Sequence, residues 1–267
     1  MELKYKIMSK VFFYNENCID TMQKMISKDY KVDIILTSPP YNTARTSKTQ
    51  RSIEHYENRY DIHLDNMTSE EYCEWSVNLF NNFNKVLKDN GVILYNVSYG
   101  SDDPNTMWLM LGDIIRNTPF MIADCIIWKK KNALPNNVST NKLTRITEFV
   151  FVICRKNEFK TFTANKKVSS VNSKGQKYYE NIYNFIEAPN NDGSCKLNKA
   201  TYSSDLCLQL LNIYAKDGMV IYDPFMGTGT TGVACMKFAE NMVCVGSELS
   251  AAQIEFAKER IEKLKNE

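Results

Sequence analysis

Histidine is nearly missing from this chain: His55 and His63 are the only two among 267 residues. No Cys-x-x-C pair occurs either, although eight cysteines are present. Zinc is held by clustered cysteine and histidine, so no metal is expected. No apolar run reaches the roughly 20 residues that a membrane-spanning helix needs. No signal-peptide pattern is evident. Cys18, Cys73, Cys125, Cys154, Cys195, Cys207, Cys235 and Cys244 therefore read as reduced core residues of a cytoplasmic protein with no membrane partner. Neither sign of charge is in excess, the net charge being +2 from 33 basic and 31 acidic residues. Any contact with a polyanion must then come from a local patch rather than a global field. Glycine and proline are sparse, at 10 and 7 residues, so the places where they cluster are informative.

What is present is a chain with ample core. The sequence is 43% hydrophobic and 12% aromatic, enough for one large or two modest domains. Apolar, β-branched runs at Val11–Tyr14, Val32–Leu36, Val92–Val97, Met121–Trp128, Glu148–Cys154, Met219–Tyr222 and Met242–Gly246 read as strands. The Glu148–Cys154 strand is expected to run antiparallel to its neighbour. Helices are predicted over Ile19–Ser27, from the capping pattern Thr68-Ser69-Glu70-Glu71 until Gly91, over Met107–Asn117, Ser203–Ala215 and Thr231–Phe238, and from Ser250 to Lys263. Residues 43–66 are polar and aperiodic and read as a long mobile loop. Residues 156–198 are rich in Lys, Asn, Ser and Tyr, and read as an insert rather than sheet core. Alternating strands and helices predict an α/β fold with a doubly wound, mostly parallel sheet.

Two loops concentrate the prolines and glycines. The first, Thr37-Ser38-Pro39-Pro40-Tyr41-Asn42, follows a buried strand, where open α/β sheets place their ligands. Two prolines remove two backbone donors and fix φ, leaving rigid carbonyl acceptors between a hydroxyl and an aromatic ring. That set suits a flat heteroaromatic ring bearing an amino group; a plain Pro-Pro turn fits it about equally well. The second loop, Asp223 to Thr231, contains Phe225-Met226-Gly227-Thr228-Gly229 between a strand and a helix. Gly227 and Gly229 allow tight turning and close approach to a ligand. No Gly-Lys-Ser/Thr follows, which rules out a P-loop. Glu248 closes the next strand, where a carboxylate can take ribose hydroxyls. The ligand implied is an adenosine-containing molecule without an essential pyrophosphate.

Together the two loops resemble those of the DNA amino methyltransferases, which methylate exocyclic nitrogens with S-adenosylmethionine. The family's Asp/Asn/Ser-Pro-Pro-aromatic motif is matched by Ser38, Pro39, Pro40 and Tyr41. Its Phe-x-Gly-x-Gly motif is matched by Phe225, Gly227 and Gly229. The catalytic motif comes first, as in the permuted β class. Weaker matches are Asn15–Cys18 at the cofactor adenine, Trp128-Lys129-Lys130, Ala200-Thr201-Tyr202-Ser203 and Val245–Glu248. The resemblance implies a Rossmann-like methyltransferase fold with a catalytic domain over residues 1–155 and 199–267 and a target-recognition insert over 156–198. It implies Ser38, Pro39, Pro40 and Tyr41 as catalytic residues. It assigns Asn17, Cys18, Tyr202, Ser203, Asp223, Phe225, Gly227, Gly229 and Glu248 to S-adenosylmethionine. Two departures from the family are noted: flanking prolines are missing around Ala200–Ser203, and Thr147-Glu148 replaces a His-Glu pair.

On that basis the substrate is double-stranded DNA with its target base flipped out. Lys129, Lys130, Lys131, Arg145 and Lys156 are the first candidates for the DNA backbone, with Arg155, Lys160, Lys166 and Lys167 nearby. Tyr178, Tyr179 and Tyr183 are expected to include at least one core residue. Serine at the first motif position favours N4 of cytosine over N6 of adenine. Alternatives are an RNA or protein amide methyltransferase and a catalytically dead DNA-binding module. A cognate restriction endonuclease and a monomeric or homodimeric state complete the expectations.

Overall fold

A computed structural model describes residues 9–42, 67–100, 103–133, 135, 140–193, 198 and 201–266. The loop read over 43–66, together with Cys195 and Ala200, lies outside them.

The described strands are β1 (Lys10–Tyr14), β2 (Val32–Thr37), β3 (Leu87–Val97), β4 (Phe120–Lys130), β5 (Thr147–Arg155), β6 (Val168–Val171), β7 (Lys177–Tyr179), β8 (Phe185–Ala188), β9 (Val220–Asp223) and β10 (Val243–Ser247). The helices are α1 (Cys18–Ser27), α2 (Ser69–Val86), α3 (Thr106–Asn117), α4 (Ser204–Tyr214), α5 (Thr230–Phe238) and α6 (Ala251–Lys265). Eight strands form one sheet in the order β1-β10-β9-β2-β3-β5-β4-β8. Every pair is parallel except the two that β5 makes, with β3 and β4. The carboxyl ends of seven strands and the amino end of β5 therefore meet at one edge.

Both faces of the sheet are covered. Met22, Met25, Leu79, Phe83, Met107 and Ile114 of α1–α3 pack on one face. Leu206, Leu210, Ala234 and Cys235 of α4 and α5 pack on the other. Two buried apolar faces explain why β2 and β3 read as near-continuous hydrophobic runs. Thr68 caps α2 reciprocally with Glu71, and the Ser250 hydroxyl accepts from the Gln253 amide at the start of α6.

Three expectations change. Helix α2 stops at Val86, not at Gly91, and β3 already begins at Leu87. A Cβ at Gly91 would lie 2.9 Å from the Asp33 carbonyl, so the glycine permits close strand contact rather than ending a helix. The insert is not separate from the sheet, because β8 pairs with β4 as its eighth strand. The rest of the insert carries the hairpin β6–β7. Tyr178, Tyr179 and Tyr183 are 48%, 50% and 75% exposed, so none of them belongs to the core.

Candidate active site and cofactor cradle

Ser38 leaves the end of β2, and the Asp223 turn leaves the end of β9. These two strands are neighbours, so residues far apart in sequence share one rim. Asp223 fastens them. Its buried carboxylate accepts from the Thr37 hydroxyl at 2.8 Å, the Phe225 amide at 3.0 Å, the Thr231 hydroxyl at 2.6 Å and the Tyr202 hydroxyl at 3.2 Å. Burial raises this carboxyl above the ordinary carboxylate range, and those hydrogen bonds oppose the rise. With its oxygens engaged inside the protein, Asp223 braces both loops from beneath. Tyr202 belongs to the same brace, and Ser203 caps α4 through the Leu206 amide. Both are buried, so their side chains are held within the scaffold.

The Ser-Pro-Pro-Tyr loop ends in a polar chain. The Ser38 hydroxyl lies 2.9 Å from the Tyr41 hydroxyl. Tyr41 in turn reaches Asn96 Oδ1 at 3.0 Å and Glu148 Oε2 at 3.1 Å. The other Glu148 oxygen accepts from Lys130 at 2.5 Å. Tyr41 can donate only one proton. Donating it toward Glu148 and Asn96 lets Ser38 donate to Tyr41, which leaves the Ser38 oxygen able to accept. The Pro40 carbonyl is taken by the Tyr72 hydroxyl at 2.8 Å. Among the described residues no backbone donor takes the Pro39 carbonyl. A shallow cleft opens beside the loop, lined by Tyr41, Asn42, Tyr72, Val97, Asp103 and Met107 among others.

The glycine turn adjoins this loop. Gly227 and Gly229 both adopt positive φ, at +50° and +79°. Glu248 sits across from them, its two oxygens accepting from the amides of Gly227 at 2.9 Å and Ser250 at 2.8 Å. Burial raises the Glu248 carboxyl above its ordinary range, opposed by those amides. Asn15 reaches over to the carbonyls of Glu248 and Leu249, which draws the β1–α1 turn to the same rim. Asn17 caps α1 there through the Ile19 amide. Cys18 is buried beside it, its thiol pushed up to about 12 by burial, so it offers backbone and bulk rather than a thiolate. Phe225 packs its ring 5.8 Å from Trp75, which stacks on Tyr72. A carboxylate beside a bare glycine turn and an aromatic wall fit a nucleoside with a ribose diol.

The predicted basic set divides. Lys130 pairs with Glu148, and Lys129 with Glu187. Lys131 is exposed. Arg145 lies over the Tyr99 ring, its carbon 4.2 Å from the centroid, and donates to the Tyr99 and Gly100 carbonyls. These four leave the sheet at the site edge. Lys156 does not: it follows antiparallel β5 and emerges at the opposite edge. Its ammonium caps the end of α3 through the Ile115 and Thr118 carbonyls, where a cation is favoured by the helix dipole. Arg155 is likewise internal, bound to Asn84, Leu87, Lys88 and Glu158. The sequence alone assigns no role to Asn96 or Glu148. A polar residue at the carboxyl end of an apolar strand was the available signal for Asn96.

No helix among the described residues is long and apolar enough to cross a membrane, and no group of potential metal ligands occurs among them.

A family model described as a DNA methylase, of the N6/N4 type, matches residues 32–259. The type II methyltransferase M.SmaI of Serratia marcescens is 26% identical over 261 residues, covering 86% of this chain and 84% of that protein. M.HinfI of Haemophilus influenzae, also a type II methyltransferase, is 24% identical over 258 residues, covering 93% and 67%. Among solved structures, the PvuII DNA methyltransferase, described as cytosine-N4-specific, superposes with a TM-score of 0.68 at 16% identity, covering 97% of this chain and 91% of that one. The M1.HpyAVI–SAM complex gives 0.61 at 22% identity, covering 94% and 100%. These superpositions carry the Rossmann-like fold. Because the family match runs from the strand beneath Ser38 to the helix that backs the glycine turn, the chain belongs to the N6/N4 DNA methylases, enzymes that move a methyl group from S-adenosylmethionine to an exocyclic amino nitrogen.

Proposed function

We propose that this enzyme methylates N4 of cytosine at a specific sequence in double-stranded DNA, acting on a base turned out of the helix. The observation that carries the reading is the acceptor pair at the end of β2: the Ser38 hydroxyl, bonded to Tyr41, and the Pro39 carbonyl, which no backbone hydrogen bond takes among the described residues. The amine lone pair is delocalised into the ring, so the free base is a poor nucleophile. Two acceptors on its two hydrogens favour a pyramidal nitrogen with a directed lone pair. Positioning and fixed dipoles then supply most of the rate. When bound, S-adenosylmethionine supplies a methyl group on an electron-poor sulfur. Glu248 and the Gly227–Gly229 turn would hold the nucleoside part, with Phe225 beside it. The proton that the amine sheds passes to Ser38 Oγ as the Ser38 proton moves to Tyr41 and the Tyr41 proton to Glu148. Tyr41 also offers its ring to the base.

The serine at position 38, like the cytosine-N4 description of the PvuII enzyme, supports cytosine over adenine. Lys131, Arg145 and the exposed tyrosines of the β6–β7 arm are suited to the DNA backbone and to unstacked bases. Turning the base out costs about a few kcal/mol, which those contacts must offset. The type II designation of the relatives supports a restriction-modification setting with a cognate endonuclease.

The test is to express the enzyme in a methylation-free host, digest the DNA and identify the nucleosides by mass spectrometry. N4-methylcytosine is expected. N6-methyladenine alone would move the assignment to adenine, and no modified DNA nucleoside would overturn the reading.

A further inference from the structure

Helix α6 lies along the glycine turn with one face. Gln253, Ala257 and Arg260 are spaced four and three residues apart, so they share that face. A Cβ on Gly227 would come within 3.4 Å of Gln253 Oε1, and one on Gly229 within 2.7 Å of Ala257 Cβ. Arg260 completes the row. One guanidinium nitrogen donates to the Thr228 carbonyl at 2.8 Å, with Thr230 Oγ1 at 3.3 Å and Thr228 Oγ1 at 3.4 Å. The other nitrogen pairs with Asp192.

Asp192 comes from the end of the insert, just after β8. Its second oxygen accepts from the Ser204 amide at 2.7 Å and hydroxyl at 3.1 Å. That places the carboxylate at the amino end of α4, where negative charge is favoured. Asn198, a few residues on, donates to Gln253 at 2.9 Å in a buried contact. The segment that leaves the insert thus grips α6 twice, both times directly behind the turn. The side chains of Arg260 and Asp192 are only 17% and 23% exposed, so the pair is shielded more than an ordinary surface bridge.

We propose that Arg260 and Asp192 are positioning residues for S-adenosylmethionine: the pair fixes the Gly227–Thr230 backbone and ties it to the insert. Neither residue touches the reacting atoms. The inference rests on the reading that this turn holds the cofactor. An unpaired Arg260 would swing toward solvent, and the Thr228 carbonyl would lose its fixed donor.

The experiment compares R260Q, D192N and the double variant with E248A, each as the full chain, by calorimetric titration with S-adenosylmethionine. Methyl transfer is measured at saturating cofactor in parallel. R260Q and D192N are expected to weaken cofactor binding about tenfold each, with kcat changed less than about twofold. The double variant is expected to be little worse than either single one, since the two act as a unit. D192N keeps an acceptor for the Ser204 amide, so it carries the test if R260Q fails to fold. Normal cofactor affinity in folded R260Q and D192N, with E248A weakened, would overturn the inference alone. A lowered melting temperature with unchanged affinity would do the same, assigning the pair to stability only. Normal affinity in E248A would overturn the reading of the turn, and the inference with it.

Discussion

Removing one oxygen from Tyr41 separates the two tasks given to this side chain. In Tyr41→Phe the ring remains to meet the base, but three contacts go: Ser38 at 2.9 Å, Asn96 at 3.0 Å and Glu148 at 3.1 Å. Glu148 keeps Lys130 and an Asn96 amide 3.5 Å away, so its carboxylate stays paired. Ser38 loses the partner that takes its proton. A hydrogen bond to a charged group contributes about 1.5–3 kcal/mol. Felt fully in the transition state, that corresponds to a kcat roughly 10- to 150-fold lower. The loss is expected in kcat, with KM for DNA little changed, because the ring is intact. Tyr41→Ala removes both tasks and should reduce activity to background, with weaker DNA binding as well. Labelled methyl transfer to a duplex oligonucleotide, at saturating DNA and cofactor, measures both variants. Wild-type kcat in Tyr41→Phe would refute the relay from Ser38 to Glu148. Wild-type kcat in Tyr41→Ala would refute the stacking as well.

Cofactor affinity should fall as pH drops through the Glu248 carboxyl's titration, which burial raises above the ordinary carboxylate range. The ionised form accepts from ribose hydroxyls, so binding is complete above that raised value and lost below it. Glu248→Gln should bind weakly at every pH, and an identical pH profile in this variant would exclude Glu248 as the source. Folding has its own sign. A carboxyl whose pKa is raised in the folded state costs stability as it ionises, so the Glu248 contribution worsens as pH rises from the unfolded value to the folded one. Gly229→Ala should destabilise by about 2–4 kcal/mol, from positive φ and a 2.7 Å approach to Ala257. Over a chain this size that lowers the melting temperature by roughly 5–15 °C. Gly227→Ala meets only ordinary contacts, so calorimetry should show a loss of about 1 kcal/mol there.

The scheme of strands and both loops was legible because apolar periodicity and the scarce glycines and prolines mark them directly. Residue type alone could not say which way a side chain points. Asp223, Tyr202 and Ser203 lie in motif positions, yet their polar atoms face inward and are satisfied there. Lys156 follows a basic-looking stretch, but β5 runs against its neighbours and carries it to the far edge. Strand direction decides this, and Lys129, Lys130, Lys131 and Arg145 stay at the site edge for the same reason. Glu148 stands at the start of an apolar strand, and only the folded sheet brings it beside Tyr41. The short β8 was hidden because its alternating exposure sits in a stretch of weak periodicity.

The brace at Asp223 also has a history in time. Strand β2 ends at Thr37, and its neighbour β9 begins at Val220. During synthesis at about 5–20 residues per second, one edge of β2 waits many seconds for its partner. β1 waits longer still for β10. Throughout that interval Ile34 and Ile35 carry no strand on that side, and an unpaired apolar edge invites pairing with another chain. Ribosome-bound intermediates that lack the last third of the protein should therefore need chaperone cover, and the active rim closes only when the C-terminal strands slot between β1 and β2.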